Sequence, residues 1–198
     1  MFGDLALDKY TEVSTTKLSS ATFTPVMVPD KKCCYLGCAG NVAKIINEFN
    51  CKVFLISAIG KNRKKIETIC KNEDINIEFS LYVDGFNQSK KRYINGNQHY
   101  FRLDNCDRID YLKYKTEIEN KFKLCIKHNK IDVVVIPDYQ LGFCDGVADI
   151  IEISKSNNIN VVVDPFNGSN LSKYEGCDVL KPNKSELERL SGTKVANN

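Results

Sequence analysis

The chain has 198 residues, 42% of them hydrophobic and 27% charged, with a formal net charge of +3 at pH 7. That is the length of one good-sized domain and the composition of a soluble globular protein. Acids and bases are mixed throughout and no apolar run is long enough to span a bilayer, so the sequence offers no case for nucleic acid or a membrane as partner. No signal peptide opens the chain, and its nine scattered cysteines read as reduced thiols of a cytoplasmic protein. Cys33, Cys34 and Cys38 have no second Cys/His pair at ligand spacing, which leaves them as structural thiols.

Met1 to Tyr10 reads MFGDLALDKY. Only two residues precede Gly3-Asp4, so any strand ahead of that turn is nearly absent. Phe23 to Val28 has β-type residues and ends at Pro29-Asp30, a turn pair. From Cys33 to Gly60 the predicted order is loop, helix, strand, loop. Gly37 and Gly40 bracket a tight turn where the backbone can approach a ligand. Asn41 to Phe49 carries Val42, Ile45, Ile46 and Phe49 at helical period, and Val53 to Ile59 reads as one buried strand. A glycine turn opening a helix presents free N–H groups and a positive dipole end, but it equally suits an ordinary helix start. Arg63 to Cys70 reads as a short helix. The cations Lys61, Arg63, Lys64 and Lys65 fit either a phosphate patch or the solvated face of that helix.

The pattern changes from Ile75 to Asp104. Glu78–Val83, Lys91–Ile94 and His99–Leu103 read as strands, with turns at Asp84-Gly85 and Asn95-Gly96-Asn97. The alternation then resumes: a helix over Leu112–Asn129, a strand over Val133–Ile136, a helix over Val147–Lys155 and a strand over Val161–Val163. A short helical turn at Leu171–Tyr174, a strand at Val179–Leu180 and a helix over Ser185–Leu190 follow. Strands alternating with helices imply a parallel sheet covered on both faces. The hairpin block Glu78–Leu103 breaks that rhythm and is expected as a separate small sheet, a lid or a dimerisation clasp. Asp138, Asp164 and Asn183 stand just past strand ends, the edge where open α/β sheets bind ligands, although each also suits a turn or a cap.

The segments GDLALDKY, LGCAGNVA, KKRYINGNQHYFRLD, PDYQLG, VVVDP and LKPNKSELERLSG stand in the order and spacing of the ribokinase/PfkB family. The chain most resembles the heptose 7-phosphate kinase branch, over essentially its whole length. The resemblance implies an α/β fold: a three-layer α/β/α sandwich with a small β-sheet lid, here truncated at the C-terminus. Residues 1–198 would be a partial kinase domain with lid strands inserted at about 9–28 and 78–104.

By the resemblance, Asp8 matches the aspartate that hydrogen-bonds sugar hydroxyls, and Gly37 and Asn41 match the glycine-turn motif of the sugar site. Lys90, Arg92, Gln98 and Arg102 match polar lid positions suited to a phosphosugar, or are simply exposed lid side chains. Asp138 joins the substrate side and Asp164 the nucleotide side. Asn183 and Glu186 match the N-x-x-E motif that organises magnesium and nucleotide phosphates, with Glu186 towards the metal. The same pair is a capping-box pattern.

The departures are specific. Cys38 replaces the second glycine of the glycine turn, Leu141 replaces the lysine of D-Y-x-K-G, and Phe166-Asn167 replaces the lysine of D-P-K-G with one residue inserted. Lys17, Ser20 and Ala21 stand for the lid-entry arginine and a proline-glutamate pair. The sequence stops at Asn198 without the G-A-G-D motif that supplies the family's general base and anion hole. No catalytic residue is therefore assigned. The resemblance implies ATP- and Mg2+-dependent phosphorylation of D-glycero-D-manno-heptose 7-phosphate at the anomeric hydroxyl. Its rivals are a non-catalytic binding or scaffold protein and one half of a split kinase. The partners expected are the phosphosugar and either a second copy through the lid or a chain supplying the ATP half.

Overall fold

The computed structural model describes residues 1–195 apart from 167 and 169, so Asn167 of the Phe166-Asn167 pair lies outside the described residues. Strands β1 (Leu5–Leu18) and β2 (Pro25–Cys38) form a long antiparallel hairpin that runs straight into helix α1 (Ala39–Asn47). Then come β3 (Val53–Phe54), β4 (Ala58–Ile59), α2 (Arg63–Asn72), β5 (Ile75–Asn76) and β6 (Leu81–Tyr82). A second hairpin, β7 (Gln88–Asn95) and β8 (Gln98–Cys106), precedes α3 (Tyr111–His128), β9 (Val133–Pro137) and α4 (Val147–Ser156). The last elements are β10 (Asn160–Asp164), β11 (Val179–Leu180) and α5 (Lys184–Ser191).

Strands β11, β10 and β9 pair in that order, all parallel, while β3 pairs with β5 and β4 with β6. Met1 to Gly3 join the two halves. The Phe2 N–H donates to the Val135 carbonyl (3.0 Å), and the Ile56 N–H donates to the Met1 carbonyl (2.9 Å). The nearly absent first strand is thus one residue wide, and it is the seam of the sheet.

Side-chain alternation along 53–59 sorts the core into two layers. Phe54, Ile56 and Ala58 pack with Ile118 and Phe122 of α3 and Ile150 and Ile151 of α4. Val53, Leu55 and Ile59 pack with Ala43 of α1 and Ile66 and Cys70 of α2. That is the period-two logic of a strand buried on both faces. The cover is incomplete further along. Val134, Ile136, Val161 and Val163 are buried in the first layer, but Val133 and Val179 on the other face are 44% and 50% exposed. Register places Val135, Val162 and Val179 in one row across that face.

The lid is a four-stranded sheet of order β2-β1-β7-β8, with β1 and β7 parallel. Leu5 and Leu7 of β1 lie in the core, and from Asp8 onward the same strand belongs to the lid. The strands expected at Val133–Ile136, Val161–Val163 and Val179–Leu180, and the helices after 110, are present as expected.

Five expectations are corrected. Pro29-Asp30 makes no turn: both residues lie inside β2, where the register with β1 shifts by a bulge. Strand β2 is an edge strand, so a proline without an N–H breaks no ladder bond there. The Gly37–Gly40 turn is absent: Gly37 is in β2, Gly40 is in α1, and Cys38 alone, at φ 55°, makes the switch from strand to helix. Phe49 lies beyond the end of α1 and is exposed. Val53–Ile59 is two short strands, because Ile56 between them bridges to Phe2. Finally, Leu81–Tyr82 pairs with β4 in the body of the sheet, so the second lid segment begins at Gln88.

Candidate functional site

Register collects the predicted sugar-side residues. Asp8 is opposite Tyr35 on one side and Lys90 on the other, Tyr10 is opposite Arg92, and Arg92 is opposite Arg102. Directly opposed residues share a face, so Asp8, Tyr10, Tyr35, Lys90, Arg92 and Arg102 project from the same side of the lid. Gly37 lies beneath Asp8: a Cβ built there would stand 2.8 Å from the carboxylate. The close approach of backbone to carboxylate is what the missing side chain permits.

Arg92 Nη1 lies 2.8 Å from Asp8 Oδ1, and each side chain is 17% exposed. Both atoms are buried, and this ion-pair contact is the one partner each of them has among the described residues. The Arg92 guanidinium sits 5.2 Å from the centre of the Tyr10 ring, which meets Tyr35 edge-on at 5.8 Å. Lys90 Nζ is 3.5 Å from Cys38 Sγ and 5.8 Å from the centre of the Tyr139 ring. Burial pushes the Cys38 thiol up to about 11 against the pull of Lys90, so it is a neutral thiol at pH 7. Burial likewise pushes the Tyr139 hydroxyl up to about 12.

The other lid candidates are less enclosed. Arg102 is exposed and pairs with Asp104 at 2.7 Å. Gln98 opposes Asn95 at the tip of the β7–β8 hairpin, about 17 Å along the strands from Asp8 at roughly 3.3 Å per residue. Asn41 is exposed on the first turn of α1.

Asp138 is buried and already engaged. Its Oδ2 accepts from Lys173 Nζ (2.6 Å) and the Tyr174 hydroxyl (2.8 Å), and its Oδ1 accepts from the Gln140 N–H (2.8 Å). Beside it is a residue missed in the sequence. Asp4 is fully buried, and its two oxygens accept the Leu141 and Phe143 N–H groups at 3.1 and 3.0 Å. Burial raises its carboxyl to about 6, partly offset by those two bonds. The available signal was its place beside Gly3 at the first turn. Asp4, Asp138 and Cys144 form the one group of three possible metal ligands found among the described residues. Their oxygens hold backbone N–H groups, Lys173 and Tyr174, so the group fixes the 138–144 loop.

Past the strand ends, Asp164 pairs with Lys181 at 3.1 Å. Asn183 and Glu186 form a complete capping box at the start of α5: the Asn183 N–H donates to Glu186 Oε2 (2.7 Å), and the Glu186 N–H donates to Asn183 Oδ1 (3.0 Å). The capping reading is therefore realised. The donor set of Asp164 and Glu186, two carboxylates near one sheet edge, also fits a hard cation that keeps most of its waters.

A profile of the pfkB family of carbohydrate kinases matches residues 13–198. The chain belongs to this family. Curated relatives include the bifunctional protein HldE of Blochmanniella floridana, 32% identical over 195 residues covering 96% of this chain and 39% of that protein. The HldE protein of Sulfurimonas denitrificans is 30% identical over 203 residues, covering 98% and 41%. Among solved structures, phosphofructokinase-2 from Escherichia coli in complex with fructose-6-phosphate superposes with a TM-score of 0.71 at 13% identity, over 99% of this chain and 65% of that one. Sa239 superposes with a TM-score of 0.74 at 18% identity, over 98% and 64%. The chain thus spans about two fifths of the curated relatives and about two thirds of the solved ones. The structural likeness shows the ribokinase-like fold that the family's members share. No helix among the described residues is long and apolar enough to cross a membrane.

Proposed function

We propose that this chain is the sugar-binding part of a PfkB-type kinase acting on D-glycero-D-manno-heptose 7-phosphate at its anomeric hydroxyl. The observation that carries this is the Asp8 carboxylate lying over Gly37 with Arg92 at 2.8 Å and Lys90 on the same face. A carboxylate accepts from paired sugar hydroxyls, and the two cations suit the phosphate on the far end of the same molecule. Tyr10 and Tyr35 form one wall of the site. ATP would lie past the ends of β10 and β11, with Asp164 and Glu186 holding Mg2+ through water; that ion would neutralise phosphate charge during in-line transfer.

The general base is not among these residues: no aspartate of the sequence stands in a G-x-G-D context. The half-covered face of β9, β10 and β11 supports the reading that further polypeptide packs there and completes the site. A parallel sheet is normally covered on both faces. A second copy joined through the lid is the other partner we propose. The reading places the protein in the cytoplasm, where activated sugars are made.

Calorimetry with heptose 7-phosphate and with the unphosphorylated heptose tests the reading. Tighter binding of the phosphosugar, without ATP-dependent turnover by the isolated chain, is the expected result. No binding of either sugar by a folded sample would favour the scaffold reading. Turnover above a no-enzyme control would show that the 198 residues are sufficient.

A further inference from the structure

The opposite face of the lid carries a different set of charges. Lys9 and Lys91 are directly opposed in the parallel β1–β7 pair, and Lys32 stands one step along, opposite Thr11. Like charges opposed on one face destabilise a sheet unless something neutralises them. Among the described residues, no carboxylate oxygen lies within 4.0 Å of these three ammonium groups, whereas the two lid arginines, Arg92 and Arg102, are each paired with an aspartate. The lysines surround a groove of about 300 Å³ whose floor includes Thr11, Pro29, Cys34 and Tyr93. Tyr93 stacks on Phe101 of β8 at 4.5 Å, which gives the groove a flat aromatic side. Glu12 and Asp30 line the neighbouring groove towards the hairpin tip, not this one.

One further contact ties this groove to the cationic cluster at 61–65. Lys9 Nζ donates to Asn62 Oδ1 at 2.9 Å, and Asn62 is the residue that opens α2. Of the cations there, Arg63 is paired with Glu67, while Lys61, Lys64 and Lys65 are exposed. Lys9 is thereby held in place at the wall of the groove.

We propose that this groove is a second anion site, for a phosphorylated small molecule whose planar part rests on Tyr93, a nucleoside phosphate. Phosphate oxygens accept charge-assisted bonds from Lys9, Lys32 and Lys91 and relieve the repulsion between the opposed lysines. The base lies against the Tyr93–Phe101 stack. The site is open, so its affinity falls as salt rises. It uses none of Asp8, Lys90, Arg92, Asp164 or Glu186, and it stands or falls apart from the sugar-kinase reading.

The experiment titrates ADP and pyrophosphate into the full chain at low salt, by calorimetry and by amide chemical shifts. The expected result is that both bind, with shifts at residues 9–11, 32–34 and 91–93. The double variant Lys32→Ala/Lys91→Ala should weaken both by about tenfold or more, as loss of two charge-assisted partners requires. Tyr93→Leu should weaken ADP but not pyrophosphate, and Asp164→Asn should leave these shifts in place. Lys32 and Lys91 are exposed, so the double variant is expected to fold, and circular dichroism checks it. Unchanged affinity in the double variant, or shifts confined to residues 164–186, would overturn the proposal. So would dimerisation at low salt that the double variant abolishes and ADP does not affect, since that assigns the face to a second copy.

Discussion

Arg92 Nη1 and Asp8 Oδ1 meet at 2.8 Å across the parallel β1–β7 pair, and neither atom is satisfied by an aligned hydrogen bond. The pair therefore has two jobs: each charge keeps the other from being buried alone, and the 17% of each side chain that stays exposed is what a ligand can reach. Asp8→Ala should cost heptose 7-phosphate binding roughly 1–3 kcal/mol, the effect of deleting a charged hydrogen-bond partner. Arg92→Ala should weaken the phosphosugar more than the unphosphorylated heptose. Equal losses for the two sugars in calorimetry would show that Arg92 serves only to hold Asp8.

Gly37→Ala should act on the same site through space. The added methyl would stand 2.8 Å from the Asp8 carboxylate, closer than such atoms approach, so Asp8 must move off its seat. We expect sugar affinity to fall about as far as in Asp8→Ala, with a stability loss of roughly 1–3 kcal/mol for overpacking. Urea melts and calorimetry on one sample separate the two effects. Wild-type sugar affinity in this variant would show that Asp8 does not contact the sugar.

The capping box allows the structural and ionic roles of Glu186 to be separated. Asn183→Ala should destabilise the chain by about 1 kcal/mol, since it removes the side chain that accepts the Glu186 N–H. Glu186→Gln keeps the reciprocal cap, because Gln also serves at that position. Its thermal midpoint should stay near wild type while Mg2+-dependent nucleotide affinity drops. A midpoint as low as that of Asn183→Ala, with unchanged Mg2+ dependence, would assign Glu186 to the cap alone.

Asp4 carries a pH signature. Its folded carboxyl lies at about 6, raised from 3.8 chiefly by burial. The native state thus holds the proton more tightly than the unfolded one. Its contribution to stability should be greatest below about pH 4, fall as pH rises towards 6, and then level off, a change of about 3 kcal/mol. Asp4→Asn cannot ionise, so this slope should vanish from it. Urea melts of both proteins at pH 4, 5, 6 and 7 make the comparison. A wild-type-minus-variant difference that does not change with pH would rule out the buried carboxylate as its source.

The sequence alone determined the alternating α/β core, the strands of the 133–180 region and the presence of a lid, because local periodicity and turn chemistry carry that information. It also named Asp8, Gly37, Lys90 and Arg92. Only the tertiary structure decided how they meet. Pro29-Asp30 has the chemistry of a turn, and pairing with β1 on one side, with no strand on the other side of β2, made it an edge-strand bulge instead. Leu81–Tyr82 has the pattern of a lid strand, and pairing with Ala58–Ile59 drew it into the body. The Asp8–Arg92 pair joins residues 84 positions apart through the register of two parallel strands, and Asp4 reaches a loop 137 residues away. Such contacts leave no local periodicity to read. They are fixed by which strand lies beside which, and that choice is made by burial of the whole core.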